Sequence, residues 1–213
     1  MDKKACFIGH RNVPDTQELR ERIQKTVEEL IRNENVTFFL FGSKSEFDSI
    51  CHKVVSALQE DYPNIQRIAY TCRHETAPTK EEKNANEQVW SNLLKQPVHI
   101  KDYDAEYEHP TKYTSGRANY VERNQAMIND SDFCIFYFDE TYLPLRRKNR
   151  KSELTDYQPK SGTGIAYKYA VQKKKQIINL LNSNLTDQFA HRLPELHNAD
   201  GVPLNNPSNL QER

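Results

Sequence analysis

The sequence predicts an α/β protein, a Rossmann-like three-layer α/β/α domain with a mostly parallel sheet. Two observations carry this. Short, continuous apolar runs alternate with amphipathic runs of helical period through about residue 182. Such runs suit strands that helices cover on both faces. Several of these runs also end in bends containing Gly, Ser or charged residues, at the carboxyl ends of strands where open α/β sheets bind ligands.

Taken in order, Ala5-Cys6-Phe7-Ile8 is a buried strand ending at Gly9-His10-Arg11. Pro14 and Asp15 precede a helix whose stripe is Leu19, Ile23, Val27, Leu30 and Ile31, with Asp15 the expected cap and Glu18 reaching back to it. Val36 to Phe41 is a second strand, closed by Gly42-Ser43. Phe47, Ile50, Cys51, Val54, Val55 and Leu58 form the sharpest amphipathic stripe. Arg67 to Tyr70 is a third strand, and 73–86 is polar and charged. A short helix around Trp90 and a short fourth strand at 98–100 follow. Residues 102–115, with Tyr103, Tyr107 and Tyr113, read as a loop whose rings either shield a pocket or pack locally. A helix over about 118–129 leads to a strand over 133–138. An insertion over 139–160 precedes Ser161-Gly162-Thr163-Gly164 and a helix with Ile165, Ala166, Tyr169 and Ala170. Ile177 to Leu181 is the last strand. Residues 183–213, rich in Asn and Pro, form an appendage with a short helix and a loose tail.

Composition narrows the function classes. Thirty Lys and Arg balance thirty Asp and Glu. That zero net charge argues against whole-molecule attraction to nucleic acid or anionic membrane. No apolar run approaches the ~20 residues of a membrane span, and the first strand is too short for a signal peptide. The expectation is a soluble cytoplasmic protein. The four cysteines form no C-x-x-C pair, and the seven histidines show no ligand spacing to them. They read as reduced, mostly buried small hydrophobes, with no metal and no resident cofactor implied.

The candidate site lies in the bends. Ser161, Gly162 and Thr163 open a helix whose free N–H groups and hydroxyls suit a phosphate. Gly42 and Ser43 are a second opening, with Asp48 one turn into the helix, placed either to bind ribose hydroxyls or to complement the dipole. Gly9, His10 and Arg11 make a third, with two side chains that are cationic or switchable. Arg123 is suited to clamp a carboxylate or phosphate, although a lone helical Arg more often forms a surface ion pair. The basic run 146–151 and Lys173 to Lys175 read as solvated charge and as helix C-terminal charge.

The order of these motifs resembles the SLOG superfamily. They are Ala5 to Arg11, Phe41-Gly42-Ser43 with Phe47-Asp48, Val121 to Met127 with Ser131-Asp132, and Ser161-Gly162-Thr163 with Ala166 and Ala170. The group has a Rossmann-like fold and includes the Lonely Guy phosphoribohydrolases and the DprA DNA-processing proteins. The nearest branch in pattern is the stand-alone bacterial YpsA-like proteins. The resemblance implies a small nucleotide-type ligand and homo-oligomerisation. It likens the Arg123 region to a catalytic stretch and Ser161-Gly162-Thr163 to a phosphate-binding Gly-Thr turn. The glutamate that the hydrolases carry three positions after that Thr is Ala166 here, and cleavage of a glycosidic bond needs a carboxylate. Binding or sensing is therefore the leading expectation. Phosphoribohydrolase activity, with Asp48, Asp139 or Glu140 as substitute, is the second. A DprA-like association with DNA is the third.

Overall fold

A computed structural model of the chain describes residues 2–42, 45–72, 102–110, 117–142 and 161–181. Met1–Leu181 form one compact unit, and Asn182–Arg213 form another that lies outside the described residues. Ser43, the helix around Trp90, the strand at 98–100, Tyr113, the basic run 146–151 and the tail also lie outside them.

The described elements are β1 (Lys3–Gly9), α1 (Gln17–Glu34), β2 (Val36–Phe41), α2 (Glu46–Leu58), β3 (Gln66–Cys72), β4 (Ala105–His109), α3 (Arg117–Asp130), β5 (Phe133–Tyr137), α4 (Gly162–Gln172) and β6 (Gln176–Asn179). The six strands form one sheet in the order β4-β3-β2-β1-β5-β6. Every neighbouring pair is parallel. Cys6 of β1 registers with Leu40 on one side and Cys134 on the other.

Alternation along the strands divides the core into two layers. On one face, Phe7 meets Phe41 at 5.0 Å, Phe39 at 6.0 Å and Phe47 at 6.4 Å between ring centres. Leu19, Ile23, Val27 and Leu30 of α1 are buried, as are Ile50, Cys51, Val55 and Leu58 of α2. Each such ring or aliphatic side chain contributes roughly 1.5–3 kcal/mol when fully buried. On the other face, Cys6, Ile8, Leu40, Tyr70, Cys134 and Phe136 pack with Met127 and Ile128 of α3 and with Ala166 and Ala170 of α4. The two alanines are four residues apart, so they form one small strip on which α4 approaches the sheet. All four cysteines are buried free thiols. Among the described residues, no helix is long and apolar enough to cross a membrane.

Three sequence expectations need correction. The cap of α1 is Thr16, whose hydroxyl accepts the Leu19 N–H at 3.2 Å. Asp15 instead receives two hydrogen bonds from Arg20, both at 2.6 Å. The loop expected over 102–115 contains β4, an exposed edge strand paired with β3 from Ile68↔Ala105 to Cys72↔His109. An edge strand with solvent on its faces has no need of an apolar run. Finally, Lys175 caps its own helix through its backbone N–H, which donates to the Ala170 carbonyl at 3.1 Å, while its side chain goes elsewhere. It donates to the carbonyls of Asn129 (2.9 Å) and Ser131 (2.6 Å) and so satisfies the C-terminal end of α3.

Candidate functional site

The sheet reverses direction of growth at β1. The chain builds outward through β2, β3 and β4, and then returns to add β5 and β6 on the opposite side. At such a switch point the loops from neighbouring strands diverge and leave a crevice at their carboxyl ends. A cavity of about 330 Å³ occupies this place. Its wall draws on the β1 tip (Gly9, His10, Arg11), on Gly42, Ser45 and Asp48, on Tyr120, Arg123 and Asn124 of α3, on Tyr142, and on Ser161, Gly162 and Thr163. The structure therefore brings together nine of the ten residues singled out in the sequence. The tenth, Ser43, lies outside the described residues.

The scaffold around the β1 tip is fixed from two sides. The Thr163 hydroxyl donates to the Gly9 carbonyl at 2.8 Å and anchors the start of α4. On the other side, Glu46 N–H donates to the Arg11 carbonyl at 3.0 Å, and the Glu46 carboxylate accepts Val13 N–H at 2.9 Å. Gly9 is required here, since a Cβ would lie 2.4 Å from the Phe47 ring.

The start of α4 offers the anion-binding surface. Ser161 is its cap, and its hydroxyl accepts Gly164 N–H at 2.9 Å. Its carbonyl takes Ile165 N–H at 3.1 Å. Gly162 and Thr163 are the first two helical residues, whose N–H groups have no partner within a helix. A Cβ on Gly162 would meet nothing within 4 Å, so this backbone is open to the cavity. The helix dipole adds a favourable field for negative charge.

Asp48 and Arg123 belong to the same wall, and both are buried. Asp48 and Ser45 form a capping box at the start of α2: the Ser45 hydroxyl accepts Asp48 N–H at 2.9 Å and donates to the Asp48 carboxylate at 2.7 Å. The other Asp48 oxygen accepts Gly42 N–H at 3.3 Å. The Arg123 guanidinium donates to the Gly42 carbonyl and to Asn124 Oδ1, the latter at 3.2 Å. It also lies over the Tyr120 ring, 5.4 Å from its centre. Both backbone groups of Gly42 are thus held, the N–H by a carboxylate and the carbonyl by a guanidinium. Burial pushes the Asp48 pKa up, while the Ser45 hydroxyl and the Arg123 charge oppose that shift. A Cβ at Gly42 would lie 2.8 Å from the guanidinium. Arg123 is therefore a wall residue with a structural duty, in place of the surface ion pair that is the commoner role of a helical arginine.

His10 is buried and neutral rather than cationic. Its Nε2 accepts the Asp139 N–H at 2.9 Å. Burial lowers its pKa, with Asp139 opposing. Its ring stacks on Tyr142 at 4.0 Å between centres. Asp139 is itself fixed, its carboxylate accepting the Thr141 N–H (2.8 Å) and hydroxyl (2.6 Å). Asn179 holds both backbone groups of the neighbouring Phe138, accepting its N–H at 3.0 Å and donating to its carbonyl at 2.9 Å. Arg11 is exposed at the cavity edge.

Sequence reasoning missed Tyr142 and Tyr120, and took Ser45 only as the end of the opening that begins at Gly42. Tyr142 was legible as an aromatic just past the β5 tip, and Ser45 as an S-x-x-D box. The tyrosines that did attract notice pack elsewhere: Tyr103 against Phe41 and His52, Tyr107 against Tyr70. Ala166, at the position of the hydrolase glutamate, is buried in the core under α4 and is not part of the cavity wall.

A family model described as the YspA SLOG family matches residues 7–185. No curated protein matches the chain. Among solved structures, the chain is similar to DNA processing protein A from Helicobacter pylori. The identity is 15%, the TM-score is 0.46, and the match covers 89% of this chain and 72% of that one. It is also similar to the molybdenum cofactor carrier protein from Chlamydomonas reinhardtii, at 10% identity and a TM-score of 0.41, covering 83% and 75% of the two chains.

Proposed function

The chain belongs to the YspA SLOG family, and on that premise we propose that it binds a nucleotide or nucleotide-derived ligand in the cavity at the tip of β1. The observation that carries this reading is the open backbone at Gly162, at a helix start in the wall of the same cavity that Arg123 lines. In this reading the phosphate sits on the N–H groups of Gly162 and Thr163. Gly9 and Gly42 give way to the Phe47 ring and the Arg123 guanidinium behind the wall, and Arg11 supplies exposed positive charge at the rim. Asp48 holds Gly42 in place at the wall. No metal is needed for these contacts.

The competing reading, cleavage of the glycosidic bond of a nucleoside monophosphate, requires a carboxylate beside the sugar. Asp48 is the wall residue of the right chemistry, but its oxygens are already used by Ser45 and Gly42. Ala166 supplies none. The binding reading therefore leads.

Calorimetric titration with AMP, cyclic AMP and ADP-ribose tests it. Saturable heats with at least one of them are expected, and silence from all at millimolar concentration would end the proposal. Incubation with AMP followed by chromatography for adenine separates the two readings, since a ligand-binding protein leaves AMP intact.

A further inference from the structure

Most polar side chains near the β1 tip have their hydrogen bonds. The Ser161 and Thr163 hydroxyls, the Asp48 carboxylate and the Asn179 amide are all engaged. His10 Nδ1 is not: it is buried and has no hydrogen-bond partner among the described residues. The tautomer follows from the other nitrogen. Nε2 accepts the Asp139 N–H at 2.9 Å, so it carries the lone pair, and in a neutral ring the proton is then on Nδ1. A buried N–H donor without an acceptor is rare in a folded protein and calls for a specific explanation. This one belongs to a residue of the cavity wall, 2% exposed and stacked beneath Tyr142. Asp139 and Asn179 hold the segment that fixes its tautomer, so the donor is preset before any ligand arrives.

We infer that His10 is a specificity-determining residue of this cavity, whose Nδ1–H donates to an acceptor atom carried by the ligand. It favours nucleotide-type ligands that present a phosphate oxygen, sugar oxygen or base acceptor at that point. It disfavours those that present a donor, because two donors facing each other leave both unsatisfied. The inference rests on the nucleotide-ligand reading and deepens it.

Two substitutions separate the two nitrogens. In His10→Gln the side-chain oxygen can reach the Nε2 position and keep the Asp139 N–H satisfied, but nothing replaces the Nδ1 donor. In His10→Asn the amide N–H takes the Nδ1 position, and the bond to Asp139 is lost. Wild type and both variants are titrated with AMP, adenosine and ribose 5-phosphate, with circular dichroism as the check on folding. The expected result is a loss of at least about tenfold in AMP affinity for His10→Gln, equivalent to ~1.4 kcal/mol. His10→Asn, which keeps a donor at that point, is expected to lose clearly less affinity than His10→Gln although it gives up the Asp139 bond. A loss repeated with ribose 5-phosphate places the acceptor on the sugar or phosphate, and a loss repeated with adenosine but not ribose 5-phosphate places it on the base.

Wild-type protein labelled with ¹⁵N-histidine gives a readout that needs no variant to fold. The His10 Nδ1–H resonance should move downfield on saturation with AMP. Three results would overturn the inference and leave the ligand reading intact: unchanged affinity in His10→Gln, equal losses in both variants, or a stationary Nδ1 signal with AMP bound. Absence of binding by wild type to all three probes would overturn the inference, and silence from cyclic AMP and ADP-ribose as well would take the ligand reading down with it.

Discussion

Two glycines at the site do opposite things, and each has its own expected outcome. A Cβ at Gly9 would lie 2.4–2.5 Å from three atoms of Phe47, whose ring is packed against Phe7 and Tyr137. Gly9→Ala should therefore lower stability by about 1–3 kcal/mol in a denaturant titration, as overpacking does. A Cβ at Gly162 meets nothing. Gly162→Ala should leave stability unchanged or raise it by roughly 0.5 kcal/mol, yet weaken AMP binding at least about tenfold, because the methyl group enters the space above the two free N–H groups. A variant that melts at or above the wild-type temperature and still binds AMP as wild type would remove the phosphate from α4. At this scale the sequence was informative about identity and less so about duty. Gly42, Asp48, Arg123 and Thr163 all reach the cavity wall, but spacing could not show that Thr163 spends its hydroxyl on Gly9 or that Arg123 grips Gly42. Those bonds join segments far apart in the chain, and periodicity carries no information about such pairs.

At the scale of elements, the capping box of α2 links folding to the site. Ser45→Ala removes the acceptor for Asp48 N–H and one donor to the Asp48 carboxylate. The expected cost is about 1 kcal/mol, read as a lower thermal midpoint. Exchange of the Gly42 amide should quicken as well, since the carboxylate that accepts it is no longer anchored. Protection of Gly42 equal to wild type would show that Asp48 holds that amide without Ser45. The buried strands β1, β2, β3 and β5 were readable because helices on both faces demand continuous apolar runs. Strand β4 was not. Its sequence, Ala-Glu-Tyr-Glu-His, is exposed along almost its whole length, so only pairing with β3 makes it a strand. The start of α1 was misplaced by one residue, because Asp15 and Thr16 are both good caps and the bond from Arg20 to Asp15 decides between them.

For the whole molecule, the titrating groups set a pattern in acid. Burial lowers the pKa of His10 and His52 below 6.5. The unfolded chain then takes up protons that the folded chain refuses, so stability declines as pH falls below about 6.5. Asp104 behaves differently. Hydrogen bonds from Arg67 hold its pKa at about 2, against 3.8 for a free side chain. Its contribution is complete above the free value and is lost as pH falls through the folded one. Asp104→Asn should thus cost about 1 kcal/mol at neutral pH, and the difference from wild type should fade between pH 4 and pH 2. Urea midpoints across the pH range check both steps, and a flat profile from pH 7 to pH 5 would contradict neutral, buried imidazoles. The strand order also matters before the protein is complete. Strand β1 gains one neighbour when residues 36–41 emerge and the other only with residues 133–137. At ~5–20 residues per second of synthesis, that delay is on the order of ten seconds. Throughout it, the nascent chain on the ribosome carries a strand with one raw edge, and this is the interval in which an attending chaperone has most to protect.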